Sequence, residues 1–138
     1  MSRVQKNILK MKEEIDRYRV PRAIKKAMLN LAKLGYEFSG HGIGMGSEDW
    51  SVLKDISKYN DYIHVSFAWN GRKCTSQYEM HLSDKIIYSP NVSRPADVVK
   101  IVSKIKSRQD LLRKIYLNES KILSKKTKKR KTVDRLHS

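Results

Sequence analysis

The sequence predicts an α+β fold: two N-terminal helices, a small antiparallel sheet of three to five strands, and a long C-terminal helix. Three observations predict it. Near both ends of the chain apolar residues recur at spacings of three and four, the period of a helix that buries one stripe. The middle switches to aromatic and β-branched residues alternating with polar ones, the period of a strand with one face in a core. Turn-forming residues (Pro21, Gly35, Asn70-Gly71 and Pro95) stand where the period changes.

Val4, Ile8, Met11, Ile15 and Tyr18 fall on one helical stripe and predict a first helix over 3–18. Pro21 suits the opening turn of a second, 21–34, whose inner face is Ile24, Ala27, Met28 and Leu31 and whose end is set by Gly35. The stretches YEFS and DWSVLKDI read as further strands. Between them lies SGHGIGMGS, residues 39–47, with four of the chain's six glycines at strand period. A phosphate-binding loop would need a strand, then the glycines, then a helix N-terminus; here Glu48 and Asp49 stand where the anion would sit. The stretch is read instead as an extended strand with one bare side that runs into a mobile connection. It presents His41, Ile43 and Met45 as a candidate partner-binding loop.

Residues 62–82 predict a hairpin around a two-residue type I′ turn at Asn70-Gly71. That turn would pair Trp69 with Arg72, Phe67 with Cys74, Val65 with Ser76 and Ile63 with Tyr78 on an apolar face shared with Met80 and Leu82. His64, Glu79 and His81 fall on the polar face. The single cysteine, Cys74, excludes an internal disulfide and a CxxC zinc pair, and reads as a small apolar residue. IIYSP, 86–90, is a last extended piece. Val98, Ile101, Val102, Ile105, Leu112 and Ile115 predict a third helix over 95–123. Residues 1–123 then form one α+β domain, and SKKTKKRKTVDRLHS, 124–138, is too poor in apolar residues to order itself and reads as a disordered basic tail.

The net charge is +16, far beyond what solubility needs, and its distribution is uneven. Residues 1–35 hold ten basic and three acidic side chains and residues 94–138 hold fifteen and four, whereas residues 36–93 hold five and seven. The excess therefore lies on the helices and tail. RAIKKA in the second helix and KKTKKRK at 125–131 contain no acid, and the latter resembles a basic-cluster nuclear localisation signal. No apolar run approaches the ~20 residues of a membrane-spanning helix, and the N-terminus lacks the apolar core of a secretory leader. An intracellular location is expected, in the cytoplasm or nucleoid, or in the nucleus of a eukaryote.

These features predict a small, non-enzymatic nucleic-acid-binding protein that grips phosphates through Arg22, Lys25, Lys26, Lys104, Arg108, Lys125, Lys126, Lys128, Lys129, Arg130 and Lys131. DNA or RNA is the expected partner, with no cofactor, no metal and no membrane. A second reading is a viral-type inhibitor or adaptor that docks on a host nucleic-acid enzyme, such as an RNA-guided nuclease or a polymerase, through the acidic β region and the Gly-rich stretch. A third is a metal-dependent nuclease, built if Glu37, Glu48, Asp49, Asp55 and Asp61 gather with His64, Glu79 and His81. Trp50, Trp69 and Tyr62 are candidate base-stacking rings, but the sheet lacks the basic surround that such a platform needs.

Overall fold

The structure is a computed structural model that describes residues 2–82, 85–88 and 93–114. Its first helix, α1 (Arg3–Arg17), opens with a reciprocal cap: the Ser2 hydroxyl accepts from the Gln5 N–H, and the Gln5 side chain accepts from the Ser2 N–H. Met11 and Ile15 are its buried residues. Arg19, at a φ of 51°, turns the chain into α2 (Arg22–Lys33), with Pro21 at the N-cap and Ile24, Ala27, Met28, Leu31 and Ala32 inward. Gly35, at a φ of 97°, ends it as its sequence position predicts. Asn7 fastens the two helices: its side-chain amide donates to the Ala32 and Tyr36 carbonyls at 2.9 and 2.7 Å.

The chain then runs as a meander. Strands β1 (Glu37–Gly44), β2 (Ser47–Asp55), β3 (Tyr62–Trp69), β4 (Cys74–Leu82) and β5 (Lys85–Tyr88) each lie antiparallel beside the next in sequence. Trp50, Val52, Ile63, Val65, Phe67, Tyr78, Met80 and Leu82 project from one face into the core, where the helices cover them. The protein is thus α+β, with its helices and sheet in two layers.

The structure corrects two sequence-based expectations. The β3–β4 hairpin has a four-residue connection rather than a two-residue turn, so Trp69 pairs with Cys74, Phe67 with Ser76, Val65 with Tyr78, Ile63 with Met80 and His64 with Glu79. The cause is the Asn70 side chain, whose oxygen accepts from the Arg72 and Lys73 N–H groups, both at 2.9 Å, and so favours a wider turn in which only Gly71 takes a positive φ. The slip of two residues keeps every side chain on its expected face. The two-residue turn with both φ angles positive occurs instead at Met45-Gly46, between β1 and β2, where Gly44 pairs with Ser47.

The second correction concerns the C-terminal helix. It is not one long element: α3 (Pro95–Ser103) stops, and a separate helix, α4, is described over 108–114. Ser107 caps the restart by accepting from the Asp110 N–H, while the Asp110 carboxylate accepts from the Lys106 N–H at 3.0 Å. That backbone bond holds the Asp110 carboxyl below its usual range. The break re-phases the stripe, burying Leu111 and leaving Leu112 exposed. Residues 115–123 of the expected helix and the tail from 124 lie outside the described residues.

The two turns should respond oppositely to substitution. Asn70→Ala removes the acceptor for two backbone donors and is expected to destabilise by about 1 kcal/mol. Met45→Asn places at a left-handed position a residue that tolerates it, and is expected to stabilise by up to ~1 kcal/mol. Thermal melts of both variants check this; a stabilising Asn70→Ala would refute the turn assignment.

Candidate nucleic-acid interface

Arg22, Lys25 and Lys26 are exposed along the start of α2, and with Val20 and Leu29 they line an open hollow of about 560 Å³. Lys104 stands exposed at the C-cap of α3. Arg108 is engaged differently from what its charge suggests. Its Nε donates to Asp61 Oδ2 at 2.9 Å, and Asp61 is fully buried. The same carboxylate oxygen accepts from the Ser57 hydroxyl at 2.6 Å, and the Asp61 carbonyl accepts from the Ile56 N–H at 2.7 Å. Arg108 is therefore a clasp between α4 and the β2–β3 loop. Lys125, Lys126, Lys128, Lys129, Arg130 and Lys131 lie outside the described residues.

A basic cleft that the sequence reading did not assign lies between α1 and the strands. Arg3, Lys6, Asn7 and Lys10 recur at helical spacing along one wall, and Gly35, Glu37 and Lys54 form the other, around about 460 Å³. Lys54 Nζ sits 5.8 Å from the centre of the Tyr36 ring. Burial, and then the nearby Lys106, hold the Lys54 ammonium below its ordinary pKa. Among the described residues none of Arg3, Lys6, Lys10 and Lys54 has an ion-pair partner. Beneath, Tyr36 is buried with its hydroxyl unpartnered among the described residues, and burial raises that hydroxyl's pKa.

The charges of α1 run against its own dipole. A helix is stabilised by acids in its first turn and bases in its last, at about 0.3–1 kcal/mol each. Here the first turn has no acid and carries Arg3 and Lys6, while Glu13, Glu14 and Asp16 cluster at the far end, where Glu14 pairs with Arg17 at 3.2 Å. None of these three acids lines the cleft. Helix stability does not account for this layout.

The Gly-rich stretch divides. His41 packs inward, its ring stacked on Tyr18 at 4.1 Å and its Nε2 2.6 Å from Glu48 Oε2. Gly40 and Gly42 face the other way, and a Cβ on Gly42 would come within 2.7 Å of Asp49 Oδ1. Ile43 is 79% exposed and Met45 wholly so, which leaves these two as the presented pair.

On the open sheet face, Glu79 faces His64 across the β3–β4 pairing and bonds the His81 ring, which stacks on Tyr62 at 4.0 Å. Burial lowers the His64 pKa, against the opposing pull of Glu79. The carboxylates do not converge on this trio: Asp61 binds Arg108, Glu48 binds His41 and Glu37 lines the cleft. Among the described residues no group of three or more His, Cys, Asp or Glu is arranged to hold a metal, and no helix is long and apolar enough to cross a membrane.

Of the candidate stacking rings, Trp50 is wholly buried and Trp69 and Tyr62 are half-buried. Among the described residues the freely presented ring is Tyr59, 77% exposed in the β2–β3 loop. Its signal in the sequence, an aromatic among Ser57, Lys58, Asn60 and Asp61, is weak. Comparisons of the chain with protein-family models, curated proteins and solved structures find no match.

Two cations assigned alike from sequence should separate by experiment. Arg108→Met leaves a buried carboxylate short of its charged partner and is expected to lower the melting temperature by about 4 °C or more, roughly 1 kcal/mol for a domain of this size. Lys104→Met should leave it unchanged. Equal melts would mean that Arg108 is not a structural clasp.

Proposed function

We propose that the protein binds nucleic acid without acting on it, holding the phosphate backbone through the helical layer. One observation carries this reading: Arg3, Lys6 and Lys10 of α1 and Arg22, Lys25 and Lys26 of α2 stand on one layer of a two-layer fold with no ion-pair partner among the described residues. Arg3 and Lys6 hold their positions in the first turn of α1 against the helix dipole. Fixed cations of this kind displace the counterions condensed on a polyanion, which makes affinity fall steeply with salt. Lys125 to Lys131 would add charge to such binding without reading base edges.

The exposed pair Ile43 and Met45 supports a second reading, that of an inhibitor or adaptor seated on a nucleic-acid enzyme through the β1–β2 turn. The two readings differ in which end of the molecule matters.

Reversing Lys25 and Lys26 to Glu should weaken binding to unrelated oligonucleotides by about tenfold or more, and much more than reversing Arg72 and Lys73 in the β3–β4 connection. Both pairs change net charge equally, but screening confines each charge to about 8 Å at physiological salt, so only a contact site distinguishes them. Anisotropy titrations at two salt concentrations make the comparison. Equal losses would reduce the positive charge to diffuse attraction. No loss in either would remove the folded domain from nucleic-acid binding and favour the docking reading.

A further inference from the structure

The cleft between α1 and the strands has cations on both walls, unlike the hollow at α2, whose cations all come from one helix. Along α1 the rise from Arg3 to Lys10 is about 10 Å, enough for two or three successive phosphates. Lys54 faces this row from the other wall, with Lys106 near enough to lower its pKa. Glu37 is the lone carboxylate on the lining, against four cations.

A slot with charge on both sides suits a ligand one strand wide. A duplex is read by a protruding element, such as a helix entering a major groove ~12 Å across, and α1 is flanked here by the Lys54 wall. Tyr59 gives an independent indication. It lies in the loop that continues from the Lys54 end of β2, and its ring is 77% exposed. That loop is held from within: the Asp61 carboxylate takes bonds from Ser57 and Arg108, and the Ser57 hydroxyl also accepts from the Tyr59 N–H at 3.0 Å. An aromatic ring on a braced loop is a platform for a base, and only an unpaired base has a face free to meet it.

We propose that this cleft is a binding site for a single, unpaired nucleic-acid strand, whose phosphates lie between Arg3, Lys6 and Lys10 on one side and Lys54 on the other, with a base stacked on Tyr59. The site rests on the nucleic-acid reading above and adds to it the form of the ligand. It also gives a role to Lys54, whose partial burial beside Lys106 disfavours its charge until an anion arrives.

The test uses the full chain, labelled oligo(dT) and a duplex of equal length, read by anisotropy across a salt series. Lys6→Gln with Lys54→Gln should weaken oligo(dT) binding about tenfold and flatten the salt slope by about 1.4, the value for two single-strand phosphate contacts. Arg72→Gln with Lys73→Gln should change neither. Tyr59→Ala should weaken oligo(dT) binding about tenfold, as loss of one stacked base does, while leaving the salt slope and duplex affinity unchanged. Melting curves keep the result interpretable: a loss of binding is assigned to the cleft only in a variant that melts with the parent. If the two double variants lose affinity equally, or Tyr59→Ala weakens duplex and single strand alike, the cleft is not the site, though nucleic-acid binding stands. If the parent chain binds neither probe, both readings fall.

Discussion

The apolar face of the meander is the constraint on which the rest of the molecule depends. Trp50, Val52, Ile63, Val65 and Phe67 are completely buried there, and a sheet cannot leave such a face in water. Because every strand lies beside its sequence neighbour, the sheet has no crossover helix to cover it. Cover comes from the chain ends: α1 and α2 from the N-terminal side, α3 and α4 from the other. The described helices, which carry most of the positive charge among the described residues, are thereby gathered on one side of the sheet.

At two places the position of a positive charge works against stability. The dipole of α1 disfavours Arg3 and Lys6 at its start, and the burial of Lys54 disfavours its ammonium. In both cases the unfavourable charge lines the same cleft, a coincidence that packing alone does not require. Arg108 shows the converse. Its charge is satisfied by Asp61, and the pair serves the fold by tying α4 to a loop and bracing Tyr59.

Much of the fold is legible in the sequence because its signals are local. The stripe from Val4 to Tyr18 and the Pro21 and Gly35 boundaries place α1 and α2 within a residue, and alternation assigns the sheet faces correctly even where the hairpin register slips by two. The slip escapes because Asn70-Gly71 marks a turn without revealing that the Asn70 side chain takes two backbone donors. Met45-Gly46 escapes because methionine is a poor candidate for a left-handed position. The division between α3 and α4 was readable: Ser107 and Asp110 have the spacing of a cap, and the apolar stripe loses phase after Ile105. The cleft was half readable. Its α1 wall is a basic stripe in plain view, but Lys54 comes from a different element and its approach is a product of tertiary packing.

The meander topology also bears on the order in which the molecule assembles. Hairpins between consecutive strands close only short loops, so the entropy lost in joining them is small and soon offset by cross-strand contacts. The link from Asp61 to Arg108 spans 47 residues and closes a loop that encloses most of the sheet. The bonds among Ser57, Tyr59 and Asp61 close loops of a few residues and need no distant partner, whereas the Arg108 clasp on the same β2–β3 loop draws on a helix 47 residues away.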